Sequence, residues 1–162
     1  MDIMSTIAER IAEFNKNRIP ELVNIKFRNM ALDSFPFYRG TCHIFYEDLS
    51  ISVSSLPKSP STWACGDLHL ENFGSYKADN RLPYFDINDF DEGCLMPALW
   101  EISRLLTSIF VASELMMINR SEAETLCSEF ITQYSNALLE AHVGLVEEET
   151  SEGIIKDLLD ER

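Results

Sequence analysis

The segment Cys65-Gly66-Asp67-Leu68-His69-Leu70-Glu71-Asn72-Phe73-Gly74 places an aspartate and an asparagine five positions apart in what reads as a loop. Further on, Phe85-Asp86-Ile87-Asn88-Asp89-Phe90-Asp91-Glu92 ends a short apolar run in a cluster of carboxylates. Phosphoryl transfer of the kinase type uses such a pair: a D-x-x-x-x-N loop, then a metal-binding Asp-Phe after the next strand. In that chemistry the loop Asp accepts the proton of the attacking hydroxyl, while the Asn and the later Asp hold Mg²⁺ against the phosphates of ATP. Hard oxygen donors suit that hard cation. Asp67 takes the place of the catalytic base, and Asn72 and Asp89 those of metal ligands, in the required order.

A lone D-x-x-x-x-N match says little, because Asp and Asn are common loop formers. The conjunction is more specific: Gly66, Asp67, His69, Asn72 and the Asp89-Phe90-Asp91 run follow one another within 26 residues. Crowded carboxylates repel, and they persist mainly where a metal or a function requires them. The same repulsion predicts that Asp67→Asn leaves stability unchanged or raises it. Around this centre His69 reads as hydrogen-bonded loop support. Arg39 is placed to pair with a carboxylate of the cluster or with a phosphate. Glu101 and Arg104, three apart on a helix, pair with each other or brace the loop.

The elements that position these residues follow from periodicity. Thr6-x-x-Glu9 is a capping box opening a helix over 6–17, and Pro20 begins a second that runs to about Leu32. Phe35 to Gly40 reads as a helix break, Thr41 to Tyr46 as a strand from its β-branched and aromatic residues, and 50–62 as a Ser- and Pro-rich loop. Trp63 to Cys65 predicts a short strand feeding the loop. Phe73 to Tyr76 and Leu82 to Ile87 predict a hairpin about the turn 78–81. Pro97 starts a helix to about Met117 with Leu99, Ile102, Leu106, Ile109, Phe110 and Ser113 inward. Ser121-x-x-Glu124 caps another, stopped by Gly144, and Ile154, Ile155, Leu158 and Leu159 suggest a last amphipathic helix in the acidic tail 147–162. The prediction is one α+β domain over 1–162, mostly helical, with a small β element carrying the polar cluster.

The 162 residues include 13 basic and 27 acidic side chains, a net charge of −14. With no basic run, nucleic acid is a poor partner, and an anionic membrane surface is disfavoured too. Cys42, Cys65, Cys94 and Cys127 are widely spaced and lack the paired spacing of a zinc site. No signal peptide or long apolar run is visible, so a cytoplasmic protein with reduced thiols is expected.

Four blocks carry a resemblance: Phe37-Tyr38-Arg39-Gly40, Gly66 to Gly74, Phe85 to Glu92, and Trp100-Glu101-Ile102-Ser103-Arg104-Leu105. Together, over roughly Arg28 to Tyr134, they resemble the uncharacterised bacterial domain-of-unknown-function family 2252. That family is similar in its catalytic motifs to the aminoglycoside and choline phosphotransferases, which implies the catalytic-loop part of a kinase-like fold. The resemblance implies Asp67 as the catalytic Asp, Asn72 and Asp89 as metal ligands, and Asp91 as an accessory ligand. Glu101 stands where the family more often has Asp.

The six glycines contain no G-x-G pair, and none of the five lysines lies in a V-A-I-K-like strand. The resemblance implies that such elements belong to a longer C-terminal half, so a truncated, split or degenerate chain is expected. Self-association or a separate partner half would then cover an apolar patch, and ATP binding by this chain alone should be weak. Three functions compete: a Mg-dependent phosphotransferase or its catalytic-loop half, a catalytically silent binding module, and, more distantly, a metallophosphoesterase. The last needs a preceding Asp-x-His and a following Gly-Asn-His, neither of which is present.

Overall fold

Thr6 caps the first helix by accepting from the Glu9 N–H while the Glu9 carboxylate accepts from the Thr6 N–H. From there the computed structural model describes residues 6–52, 56–141 and 144–161. The helices α1 (Ile7–Asn15), α2 (Pro20–Met30), α3 (Ser34–Gly40) and α4 (Cys42–Ile51) form the N-terminal part. Strands β1 (Ser61–Ala64), β2 (Phe73–Lys77), β3 (Pro83–Ile87) and β4 (Cys94–Pro97) follow. Then come α5 (Ala98–Leu115), α6 (Arg120–Leu139), β5 (Val146–Glu147) and α7 (Gly153–Asp160). The fold is α+β and mostly helical.

Two small antiparallel sheets hold the chain where the motifs lie. β1 pairs with β4, and β2–β3–β5 form a three-stranded sheet in which Phe73 faces Ile87 and Gly74 faces Asp86. The β2–β3 hairpin closes through Arg81, whose φ of 66° supplies the left-handed turn residue. Its register places the end of β3 beside the start of β2, which carries the Asp89 segment back to the Asn72 end of the loop.

Three apolar clusters hold the elements together. Ile11, Met30 and Ile44 join α1, α2 and α4; Cys65, Leu68 and Leu105 join the loop to α5; Ile109, Ala123 and Cys127 join α5 to α6. Each fully buried Leu or Ile among them contributes about 1.5–3 kcal/mol. The middle cluster bears on the site, since Leu68 sits next to Asp67 and is buried against the helix that carries Arg104. Trp63 faces Leu95 across the β1–β4 pair, and both side chains are exposed. No helix among the described residues is long and apolar enough to cross a membrane.

Several local expectations are corrected. Phe35 to Gly40 does not break a helix but forms α3, capped by Asp33 accepting from the Ser34 N–H, with Pro36 in the first turn where it displaces no needed donor. Thr41 to Tyr46 is not a strand: it lies in and before α4, where Ile44 packs onto Ile11 and Met30, and that tertiary burial outweighs its β propensity. The cap of α6 is Asn119 with Glu122, not Ser121 with Glu124, and the helix ends at Leu139, before Gly144. On α5 the buried stripe is Arg104, Leu105, Ser108, Ile109, Ala112 and Ser113, whereas Phe110 is exposed. Part of the predicted loop 50–62, namely 53–55, lies outside the described residues.

Candidate active site around Asp67

Gly66 begins the site because of its backbone. Its φ is +92°, and a Cβ placed there would overlap the Glu92 carbonyl oxygen. The loop can press against the segment after β3 only with glycine at this position. Glu101, in the first turn of α5, braces the same stretch by accepting from the N–H groups of Cys65 at 2.6 Å and Gly66 at 3.4 Å. The Cys42 thiol donates to the Gly66 carbonyl at 3.4 Å.

Asp67 is then fixed by Arg104. The guanidinium donates twice to Asp67 Oδ1, from Nε at 2.9 Å and from Nη2 at 2.5 Å, and it is fully buried. It lies 3.7 Å above the Tyr38 ring, and Nη2 also donates to the Tyr38 carbonyl at 2.9 Å. In return the Tyr38 hydroxyl donates to the Arg104 carbonyl at 2.6 Å. A planar, delocalised cation suits this stacked and forked position as a lysine does not. Glu101 and Arg104 therefore both brace the loop and do not pair with each other. The blocks around Tyr38, Asp67 and Arg104 meet at this one guanidinium.

His69 is buried, with its N–H donated to Asn72 Oδ1 at 2.8 Å and its Nδ1 accepting from the Glu71 N–H at 3.1 Å. Its ring meets Phe35 edge-on, and Nε2 has no hydrogen-bond partner and stands 3.9 Å from Asp67 Oδ2. Asn72 is buried too, and its carbonyl accepts from the Asn88 N–H at 2.9 Å, which ties the loop to the residue before Asp89. Asp89 Oδ1 accepts from the Asp91 N–H at 3.3 Å. Arg39 makes an ion pair with Glu71 at 2.8 Å, one of the two roles foreseen for it.

Asp67, Glu71, Glu92, Arg39 and Lys26 line a cleft of ≈ 850 Å³. Burial, and then the charges of Asp67, Asp89 and Asp91, push the Glu92 carboxyl above its ordinary range. These four acids thus share one field. Asn72, Asp89 and Asp91 offer oxygen donors, and the mutual repulsion around them is the kind a hard divalent cation relieves. The residue types suit such an ion, although Asn72 is buried and its Oδ1 would have to give up the His69 N–H to reach one. Among the described residues, however, no group of three His, Cys, Asp or Glu side chains stands ready to hold one.

Lys26 is the cleft residue that sequence reading passed over. It lies four residues after Leu22 and four before Met30, inside the apolar stripe of α2, and that placement is the signal that it faces inward. Burial and then Arg18 pull its ammonium below the ordinary lysine range, with Glu92 and Asp67 acting the other way. Thiol chemistry has no support in the site. Burial pushes Cys42 up to about 12 and Cys65 higher still, which leaves both as inert thiols at neutral pH.

The family model described as "Uncharacterized protein conserved in bacteria (DUF2252)" matches residues 18–157. The chain belongs to this family. No curated protein and no solved structure matches it. Within this DUF2252 member, the match covers the guanidinium, the loop and the acidic cluster alike.

A pH dependence follows for the loop histidine, His69. Burial is the largest cause that lowers His69, helped by Arg39 and Arg104 and opposed by Asp67 and Glu71. A histidine held neutral in the fold takes up its proton later than in the unfolded chain, so stability falls as pH drops through the ordinary value of 6.5. His43 on α4 is lowered in the same direction, by burial first, then Lys26, Arg10 and Arg18 against Glu47. His69→Asn keeps an acceptor for the Glu71 N–H but does not titrate, and it should flatten part of the acid limb. Melting temperatures between pH 5 and 8 check this. Identical slopes in the variant and the wild type would remove His69 from the account.

Proposed function

We propose that the Asp67 cleft carries kinase-like phosphoryl transfer to a hydroxyl, with Asp67 accepting the hydroxyl proton. One observation carries the reading. Arg104 takes both of its hydrogen bonds to Asp67 through Oδ1, so the carboxylate is locked in place by one oxygen, while His69 Nε2 stands 3.9 Å from Oδ2 and the Cys42 thiol lies within hydrogen-bonding reach of the carboxylate. A general base needs this fixed orientation and a lone pair beside a cavity that admits substrate. Two cations on the cleft wall, Lys26 and Arg39, support a phosphate-bearing substrate.

Under this reading Asn72, Asp89 and Asp91 would hold Mg²⁺, which when bound neutralises and orients phosphate oxygens. His69 and Arg104 position the loop, and Glu101 fixes its entry. Lys26 and Arg39 face four acids in the cleft (Asp33, Asp67, Glu71 and Glu92), so a nucleotide polyanion without a cation meets net repulsion.

Transfer of the labelled γ-phosphate of ATP to a panel of hydroxyl-bearing small molecules, with Mg²⁺, tests the proposal. Asp67→Asn should cut the rate by roughly 10²–10⁴-fold, the usual worth of a positioned general base. The comparison is made at a temperature where circular dichroism shows the variant folded. Transfer by folded Asp67→Asn at the wild-type rate would end this assignment.

A further inference from the structure

Next to the Asp67 cleft lies a second cavity of ≈ 220 Å³, bounded in part by Phe14, Arg18, Lys26, His43 and Tyr46. Its charge is opposite to that of the molecule. In a chain with 27 acidic and 13 basic residues, this cavity is lined by three cations, Arg18, Lys26 and Arg39, and by one acid, Glu92. Arg18 and Lys26 form no ion pair among the described residues. The Lys26 ammonium has a long 3.5 Å contact to Asn15 Oδ1, and both cations stand over the Phe14 ring, at 4.8 and 5.7 Å. Phe14 in turn stacks on His43 at 3.7 Å with an interplanar angle of 4°. Arg18 and Lys26 repel each other, and the acids near Lys26, Glu92 and Asp67, offset this only in part, so an added anion would relieve the arrangement.

A second observation is independent of charge. His43 Nε2 and the Tyr46 hydroxyl are buried polar atoms without a hydrogen-bond partner, and both residues line this cavity. Buried donors left unmade are rare in native proteins and call for a partner. Arg18 follows α1, Lys26 is on α2, and His43 and Tyr46 are one turn apart on α4, so donors reach the cavity from separate elements. That distribution suits an oxyanion with oxygens in several directions better than a planar carboxylate.

We propose that this cavity binds a phosphate-class oxyanion, held by Lys26 and Arg18 and by hydrogen bonds from His43 Nε2 and the Tyr46 hydroxyl. None of the four proposed contacts comes from the Asp67 loop, although Gly66 lines the cavity, and no metal is required; because Lys26 also lines the Asp67 cleft, the His43 resonances, not the Lys26 variant alone, separate this site from the phosphotransfer reading. Lys26 and Arg39 line both cavities, which places the bound anion alongside the cleft that contains Asp67.

Metal-free protein in EDTA is titrated at constant ionic strength with inorganic phosphate, glycerol phosphate and acetate, following the imidazole resonances of His43. Phosphate should shift them saturably and raise the pH at which His43 titrates, because a bound dianion favours imidazolium. Lys26→Met should weaken binding roughly tenfold, the loss expected for one charge-assisted hydrogen bond. Arg120→Gln, which removes an exposed cation paired with Glu124, should leave it unchanged. Tighter binding of glycerol phosphate assigns the ligand to a phosphorylated small molecule, tighter binding of inorganic phosphate to the free ion, and both uphold the site. If Lys26→Met fails to fold, the exposed Arg18→Gln carries the same comparison. No saturable shift, an equal response to acetate, or cation variants that bind phosphate as the wild type does would overturn the proposal.

Discussion

Asp67→Asn is expected to destabilise the protein by about 3 kcal/mol, which for a chain of this length lowers the melting temperature by roughly 6–12 °C. Charge crowding alone predicts the opposite, since Asp89, Asp91 and Glu92 lie in the same field as Asp67. The buried partner decides between them. Arg104 is fully buried, and Asp67 is its ion-pair partner at 2.5 Å. Asparagine leaves that guanidinium without a counter-charge in a place where water cannot supply one, and an uncompensated buried charge outweighs the relief of partly solvated repulsion. The Tyr38 ring and the Tyr38 carbonyl continue to hold Arg104, so the loss stays at the lower end for buried pairs. The double variant Asp67→Asn with Arg104→Met removes the orphaned charge and should recover part of the loss. Thermal unfolding of the four proteins of this cycle measures it. A single variant as stable as the wild type, or a double variant no better than Asp67→Asn, would show that the pair does not hold the loop.

The same pair shows where sequence reading stops. Asp67 and Arg104 are 37 residues apart, and nothing in local periodicity distinguishes an arginine that stacks on Tyr38 from one that snorkels to water. What local chemistry controls was legible. The β2–β3 hairpin follows from two apolar runs about a turn, and the return of the Asp89 segment toward the Asn72 end of the loop follows from that hairpin. What tertiary contacts decide was not. α4 is a helix despite its β-branched and aromatic residues because Ile44 is buried with Ile11 and Met30. Phe110 fits an apolar stripe that periodicity turns inward, yet the face that packs is the one carrying Arg104 and Ser108. Lys26 lies between these cases: its position in the apolar stripe of α2 is visible in the sequence, but its meaning depends on Asp67 and His43, which other elements bring near.

Gly66→Ala is expected to cost about 3–5 kcal/mol and to dislodge Asp67 from its guanidinium. Two separate effects act at this position. The φ of +92° lies where an L side chain is strained, and that strain alone is worth about 1–2 kcal/mol. The added methyl would also overlap the Glu92 carbonyl oxygen and meet the Glu92 carbonyl carbon at 2.7 Å. Those atoms are backbone and cannot swing aside as a side chain would, so the loop or the segment after β3 must shift. Either movement pulls on the braces that Glu101 makes to Cys65 and Gly66 and on the Arg104–Asp67 pair. Gly153→Ala separates the two effects. Gly153 has a φ of +60°, but a methyl added there would meet nothing within 4 Å, so this variant should lose only the strain. Denaturant unfolding of the two variants gives the comparison directly. Equal losses at Gly66 and Gly153 would mean that the approach of the loop to Glu92 is not tight, and that Asp67 is held by Arg104 alone.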